Sequence, residues 1–199
     1  MKHMIDCGTN LFYGLNALSN RFNFDETWKI DCFEANPFVY EQAMNLIKNG
    51  DIKKYYPRYD SKNLNLFNKA VWVYDGFIDM NIEADKLSNV ANILNKPPEK
   101  DTVYNRNFKW SKTKIPCIRL SEIIKQSNAE KIVVKLDVEG AEFEIIQDLI
   151  KENLLNKINF FYVEFHERFF VEELNKYSDI KNQLISEINK QVEFFQEWD

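Results

Sequence analysis

Three carboxylates and an imidazole stand where two short apolar runs end: Asp137 and Glu139 follow Lys131-Ile-Val-Val-Lys-Leu, and Glu164 and His166 follow Phe160-Phe-Tyr-Val. Such a set can do two kinds of chemistry. It can take a proton from a weak oxygen nucleophile, with His166 as the base because an imidazole titrates near pH ~6.5. It can also offer oxygens and one imidazole to a divalent cation such as Mg²⁺ or Mn²⁺, through His166, Asp137 and either Glu139 or Glu164. Residue types alone do not choose between a carboxylate-tuned histidine and a metal-bound one. Each group also has a plainer reading: acids favour helix N-termini, where they complement the macrodipole, and His166 can simply cap a strand by donating to a carboxylate.

These residues need elements to carry them. The β-branched run at 131–137 reads as a buried strand that feeds, through Gly140, a helix over 140–153. Residues two apart share a strand face, so Glu164 and His166 project together if the strand over 159–165 persists that far. Further strands are expected at 3–7, 29–34 and 64–68, with helices near 12–21, 38–49 and 178–191. That alternation is the pattern of a mainly parallel sheet with helices on both faces, where ligands lie beyond the carboxyl ends of the strands. After the third strand, Ala70–Val73 and Phe77–Ile82 flank Tyr74-Asp75-Gly76 and read as a hairpin opening an insertion over about 70–118. Residues 84–114 are its least regular part; Tyr104, Phe108 and Trp110 there suit either stacking on a sugar ring or pinning the loop to the body. Lys53-Lys-Tyr-Tyr-Pro-Arg58-Tyr-Asp60 is either an anion-facing cluster or a solvated connection.

A second group of residues speaks to a ligand. Asp6-Cys-Gly8-Thr-Asn10 ends the first strand in a tight glycine turn, and Phe33-Glu34-Ala-Asn36-Pro37 ends the second in an acid followed by a helix-starting proline. In doubly wound folds, an acid at the end of the second strand accepts from ribose hydroxyls. Neither the glycine fingerprint of a dinucleotide fold nor a phosphate-cradling Gly-Lys-Ser/Thr is present, which favours a ligand with a ribose and no phosphates and argues against a nicotinamide oxidoreductase.

The ordered set Asp6-x-Gly8-x-Asn10, Phe33-Glu34-x-Asn36-Pro37, Asn68-Lys-Ala70-Val71, Lys135-x-Asp137-Val-Glu139-Gly-Ala-Glu142 and Val163-Glu164-Phe-His166 resembles FkbM-type methyltransferases over roughly residues 3–166. The resemblance implies a Rossmann-like class I fold, S-adenosylmethionine (SAM) as cofactor, and O-methylation of a saccharide or glycoconjugate hydroxyl. On that reading Asp6, Gly8 and Asn10 surround the methionine part, Glu34 holds the ribose, and Asn36 and Asn68 lie near the adenine. His166, Asp137 and Glu164 form the catalytic set, with a metal held by Asp137, Glu139 and His166 as the alternative. Glu142 and Glu144 are read as helix-start acids. The family pattern places a second glycine where this chain has Phe12, with Gly14 two places later, so either a side chain meets the methionine end or the loop re-registers.

Composition bounds the rest. At 199 residues and 45% hydrophobic, the chain suits one domain spanning 1–199. A net charge of −5 gives no drive toward nucleic acid. Cys7, Cys32 and Cys117 form no Cys-x-x-Cys pair and read as reduced core residues of a cytoplasmic protein. No apolar run reaches the ~18 residues of a membrane span, and no signal peptide opens the chain. After the fifth parallel strand only one more strand can form, which predicts a shortened sheet edge that a second copy could cover as a homo-oligomer. That short edge and Phe12 motivate the alternative of a catalytically degenerate SAM-fold binding or scaffold subunit.

Overall fold

The computed structural model describes residues 1–83, 91–93, 100–101, 106–107 and 109–198. In chain order, β1 (Lys2–Cys7) leads to α1 (Tyr13–Phe22), β2 (Trp28–Phe33), α2 (Pro37–Lys48) and β3 (Leu64–Phe67). The insertion carries β4 (Ala70–Trp72), β5 (Gly76–Glu83), β6 (Ala91–Asn92), β7 (Lys100–Asp101), β8 (Arg106–Asn107) and β9 (Trp110–Arg119). Then come α3 (Leu120–Gln126), β10 (Lys131–Leu136), α4 (Glu142–Lys151), β11 (Phe160–Val163), α5 (Leu174–Gln191) and β12 (Phe194–Glu197).

The main sheet runs β3-β2-β1-β10-β11-β12, and every neighbouring pair is parallel. Its central strands are covered on both faces, which is why β1 and β10 read as nearly continuous apolar runs. Met4, Ile30, Cys32, Val133 and Tyr162 point to the face under α1. Ile5, Cys7, Val134, Leu136 and Phe161 point to the other, with α4 residues Phe143, Ile146 and Leu149. The three cysteines are free and buried. No helix among the described residues is long and apolar enough to cross a membrane.

The sheet closes on β12, the single extra strand the sequence allowed. It pairs parallel to β11, because α5 returns the chain to the same end of the sheet before β12 begins. Arg21 of α1 fixes that edge by laying its guanidinium 3.9 Å from the Phe194 ring centroid.

The insertion forms a second sheet in the order β4-β9-β5-β6. Here the expected hairpin is corrected: β4 and β5 do not pair with each other, because β9 lies between them. Ala70 and Gly76 sit opposite Cys117 on its two sides. The Tyr74-Asp75-Gly76 turn therefore arches over the end of β9, where Asp75 Oδ1 accepts from the Arg119 N–H at 3.0 Å. Of the irregular stretch, residues 84–90, 94–99, 102–105 and 108 lie outside the described residues, Tyr104 and Phe108 among them, while Trp110 opens β9.

Candidate active site

Parallel strands bring their carboxyl ends to one rim, and there β1, β2, β10 and β11 deliver the residues singled out above. A small cleft of about 80 Å³ opens at this rim. Gly8, Asn10, Glu34, Asp137 and Glu139 line it from the main sheet, and Val71, Met80 and Ile93 form an apolar wall from the insertion.

The loop after β1 is set by close approach. Gly8 has φ +76°, and a Cβ there would lie 1.8 Å from the Asp137 carbonyl oxygen, so only glycine fits. Beneath the loop Asp6 is fully buried; its Oδ2 accepts from the Thr9 hydroxyl at 2.6 Å, and its Oδ1 lies 3.6 Å from Lys135 Nζ. Lys135, also buried, donates to the Gly8 carbonyl and to Asp137 Oδ2, each at 3.0 Å. Burial works against the Lys135 ammonium, but Asp6 and Asp137 outweigh it and leave its pKa raised; burial likewise raises that of Asp6, against the pull of Lys135 and Thr9. Asp6 thus shapes the loop from below rather than facing the cleft.

Phe12 holds the left-handed conformation that glycine adopts freely, at φ 68° and ψ 20°. Its ring is fully buried in the cluster with Leu15 and Leu18 and does not line the cleft. Gly14 serves the lysine: a Cβ there would meet Lys135 Cδ at 2.6 Å.

Glu34 follows β2 and is buried beside the cleft. Its two oxygens accept separate backbone N–H groups, Oε1 from Asn36 at 2.8 Å and Oε2 from Asn10 at 2.9 Å. Burial pushes its pKa up to about 7, although both N–H groups pull the other way. The two asparagines expected near an adenine make bonds at and beside this turn. Asn36 is buried as the N-cap of α2, accepting from the Phe38 N–H at 3.0 Å, and Asn68 Nδ2 donates to the Glu34 carbonyl at 2.9 Å.

Around His166 the acids converge. β11 ends at Val163, earlier than expected, yet the chain continues extended enough for the Glu164 N–H to reach the Leu136 carbonyl at 3.0 Å. His166 is buried; its Nδ1 donates to Glu142 Oε1 at 2.9 Å, and its Nε2 faces Glu164 at 3.3 Å and Glu139 at 3.4 Å. Burial opposes the charged ring, but the carboxylates overcome it and lift its pKa to about 10. With carboxylates facing both ring nitrogens, the protonated ring is favoured over the neutral one. The hydrogen bond from His166 holds Glu164 down at about 2. Glu139, at the cleft mouth with φ +55°, is pushed up to about 7 by burial of its carboxyl, with its acidic neighbours adding to the shift.

Sequence reasoning missed two of these groups. Glu142 is no surface acid: it is fully buried, accepts from the Val138 and Gly140 N–H groups at 2.9 and 3.0 Å, and holds His166 from behind. Its place three residues after Glu139 and beside Gly140 was the available signal. Lys135 lay inside the same motif, as a lone cation in an apolar strand.

Residues 6–197 match the family model described as the Methyltransferase FkbM domain, and the chain belongs to that family. A solved structure, that of Methyltransferase FkbM from Methylobacillus flagellatus KT, is similar to it at 11% identity and a TM-score of 0.43, over 75% of this chain and 29% of that one. The chain thus spans less than a third of that protein's length. Among curated proteins none matches.

Proposed function

We propose that this chain is a SAM-dependent O-methyltransferase acting on a hydroxyl of a saccharide or glycoconjugate. The observation that carries the reading is Glu34, a carboxylate held by two backbone N–H groups beside the cleft, with an apolar wall across from it. A ribose diol needs such an acceptor, and a purine needs such a wall. Gly8 and Asn10 are then placed for the methionine part, with Asp6, Asn36 and Asn68 fixing the loops that carry the contacts. When bound, SAM supplies an electrophilic methyl on a sulfonium for in-line displacement.

The chain's own residues supply alignment and a place for the proton. At the rim between β10 and β11, SAM held by Glu34, Gly8 and Asn10 would supply its methyl to an acceptor hydroxyl. The hydroxyl proton passes to the Asp137 carboxylate, while Glu164 and His166 fix the charge around it. Alignment contributes several kcal/mol of such a rate enhancement, and proton removal about 10²–10⁴-fold. The insertion over 70–118 closes one side of the cleft and is the acceptor-recognition region of this reading.

Calorimetric titration with SAM and S-adenosylhomocysteine tests the proposal. Micromolar binding by the wild type that is lost in Glu34→Ala is the expected result. Absence of binding by well-folded wild-type protein would overturn it.

A further inference from the structure

We propose that Asp137, Glu139 and His166 form a binding site for one divalent cation of the manganese type. The first argument is spacing. One ligand atom from each of the three lies within 4.8 Å of the others, and His166 Nε2 stands 3.4 Å from Glu139. Metal–ligand bonds of about 2.1 Å put cis donors about 3 Å apart and trans donors about 4.2 Å apart, so small side-chain rotations gather this set around one ion.

The second argument is how the imidazole is held. His166 is almost wholly buried, and its Nδ1 is fixed by Glu142, a buried carboxylate itself locked by the Val138 and Gly140 N–H groups. A metal-binding histidine is ordinarily oriented in this way, by a carboxylate on the nitrogen that does not bind. Here the arrangement aims Nε2 at the cleft-lining acids. An exposed acidic patch has no such buried support.

The third argument is charge. Glu139, Glu142 and Glu164 all contact the one ring, with Asp137 beside them. Of the nearby cations, Lys135 is shared between Asp137 and the buried Asp6, Arg168 is mostly exposed, and the ion takes the place of the His166 Nε2 proton, so the ring's own charge is released to solvent on binding. Like charges gathered this closely repel strongly, and a dication would offset the surplus.

Two carboxylates and an imidazole suit Mn²⁺ better than Mg²⁺, which prefers an all-oxygen shell. Because Asp137 and Glu139 line the cleft, the ion's remaining positions face it. Vicinal hydroxyls of a saccharide could fill two of them, and the ion would make the bound hydroxyl more acidic. That use of the ion rests on the methyl-transfer reading; its binding does not.

The experiment is Mn²⁺ titration of the full chain without SAM, followed by loss of the free-ion signal in electron paramagnetic resonance. The expected result is one Mn²⁺ per chain, weakened about 10-fold or more by Glu139→Gln, by His166→Asn, and by Glu142→Gln through the lost orientation of the ring. Circular dichroism establishes that each variant is folded; should His166→Asn not fold, Glu139→Gln, at the cleft mouth, decides. No saturable binding, or binding unchanged in folded Glu139→Gln, overturns the site. SAM binding measured on the same samples separates the two readings: SAM bound without Mn²⁺ overturns the metal site alone, and Mn²⁺ bound without SAM overturns methyl transfer alone.

Discussion

Lys135 Nζ donates to the Gly8 carbonyl oxygen at 3.0 Å, so a strand at the centre of the sheet holds the loop that leaves its neighbour. The same ammonium lies between Asp6 and Asp137. Lys135→Met keeps much of the volume but strands two acids, one of them fully buried. Breaking a buried pair from one side costs about 3–5 kcal/mol. Urea unfolding should show a loss of that order; a change under about 1 kcal/mol would mean that the cation is not what holds the loop.

Gly8 and Gly14 are expected to differ in what they tolerate. At Gly8 a Cβ meets backbone, the Asp137 carbonyl, with φ at +76°; at Gly14 it meets the flexible Lys135 stem. Gly8→Ala should therefore lower the melting temperature more than Gly14→Ala, and equal melting temperatures would contradict the geometry.

The carboxyl of Glu34, held up at about 7, links cofactor binding to pH. Ribose hydroxyls donate best to the ionised form, so SAM affinity should rise as pH increases from 6 to 8. Stability runs the other way. A carboxyl whose folded pKa lies above its ordinary value of 4.5 contributes stability that is fully present below pH 4.5 and lost as pH rises through 7. Glu34→Gln should flatten both dependences, by calorimetry and by thermal melts across the same pH range.

Phe12→Ala separates packing from binding. The ring is fully buried and turned away from the cleft, so its loss should cost about 3–5 kcal/mol of stability. SAM affinity of the folded variant should stay within about twofold, since Phe12 does not line the cleft. A large loss of affinity with stability intact would place the ring in the site after all.

Asp137→Asn should lower turnover by about 10²–10⁴-fold while leaving SAM affinity nearly unchanged. Single-turnover kinetics with a sugar acceptor, beside calorimetry, measure the two separately. Equal loss of both would assign Asp137 to cofactor binding.

The strands that carry the site were legible in the chain because both their faces are buried and their apolar runs are bounded by Gly8, Glu34 and Asp137. β9 was not, since Trp110-Ser-Lys-Thr-Lys has the polarity of a loop and Pro116 falls inside it. The Tyr74–Gly76 turn misled because turn chemistry is local, whereas the partner of both flanking strands comes some forty residues later, at Cys117. Among the site residues, Glu34 stands where strand order placed it. Asn36 caps α2, as an asparagine before a helix-starting proline can, whereas the Asn68 bond to the Glu34 carbonyl has no sequence pattern to announce it. Glu142 shows the same limit: an acid at a helix start looks solvated until the segment after β11 folds over it.

The sheet's order also has a consequence for how the chain folds. β1 sits between β2 and β10, and the Lys135–Gly8 contact joins residues 127 apart in sequence. On a ribosome, β1, β2 and β3 emerge early, and one long side of β1 remains open until β10 follows. Contacts this distant in sequence make folding slow and leave an unpaired strand exposed meanwhile. Refolding should accordingly be far slower than for a helical protein of this size, and fragments that stop before β10 should aggregate through the free side of β1.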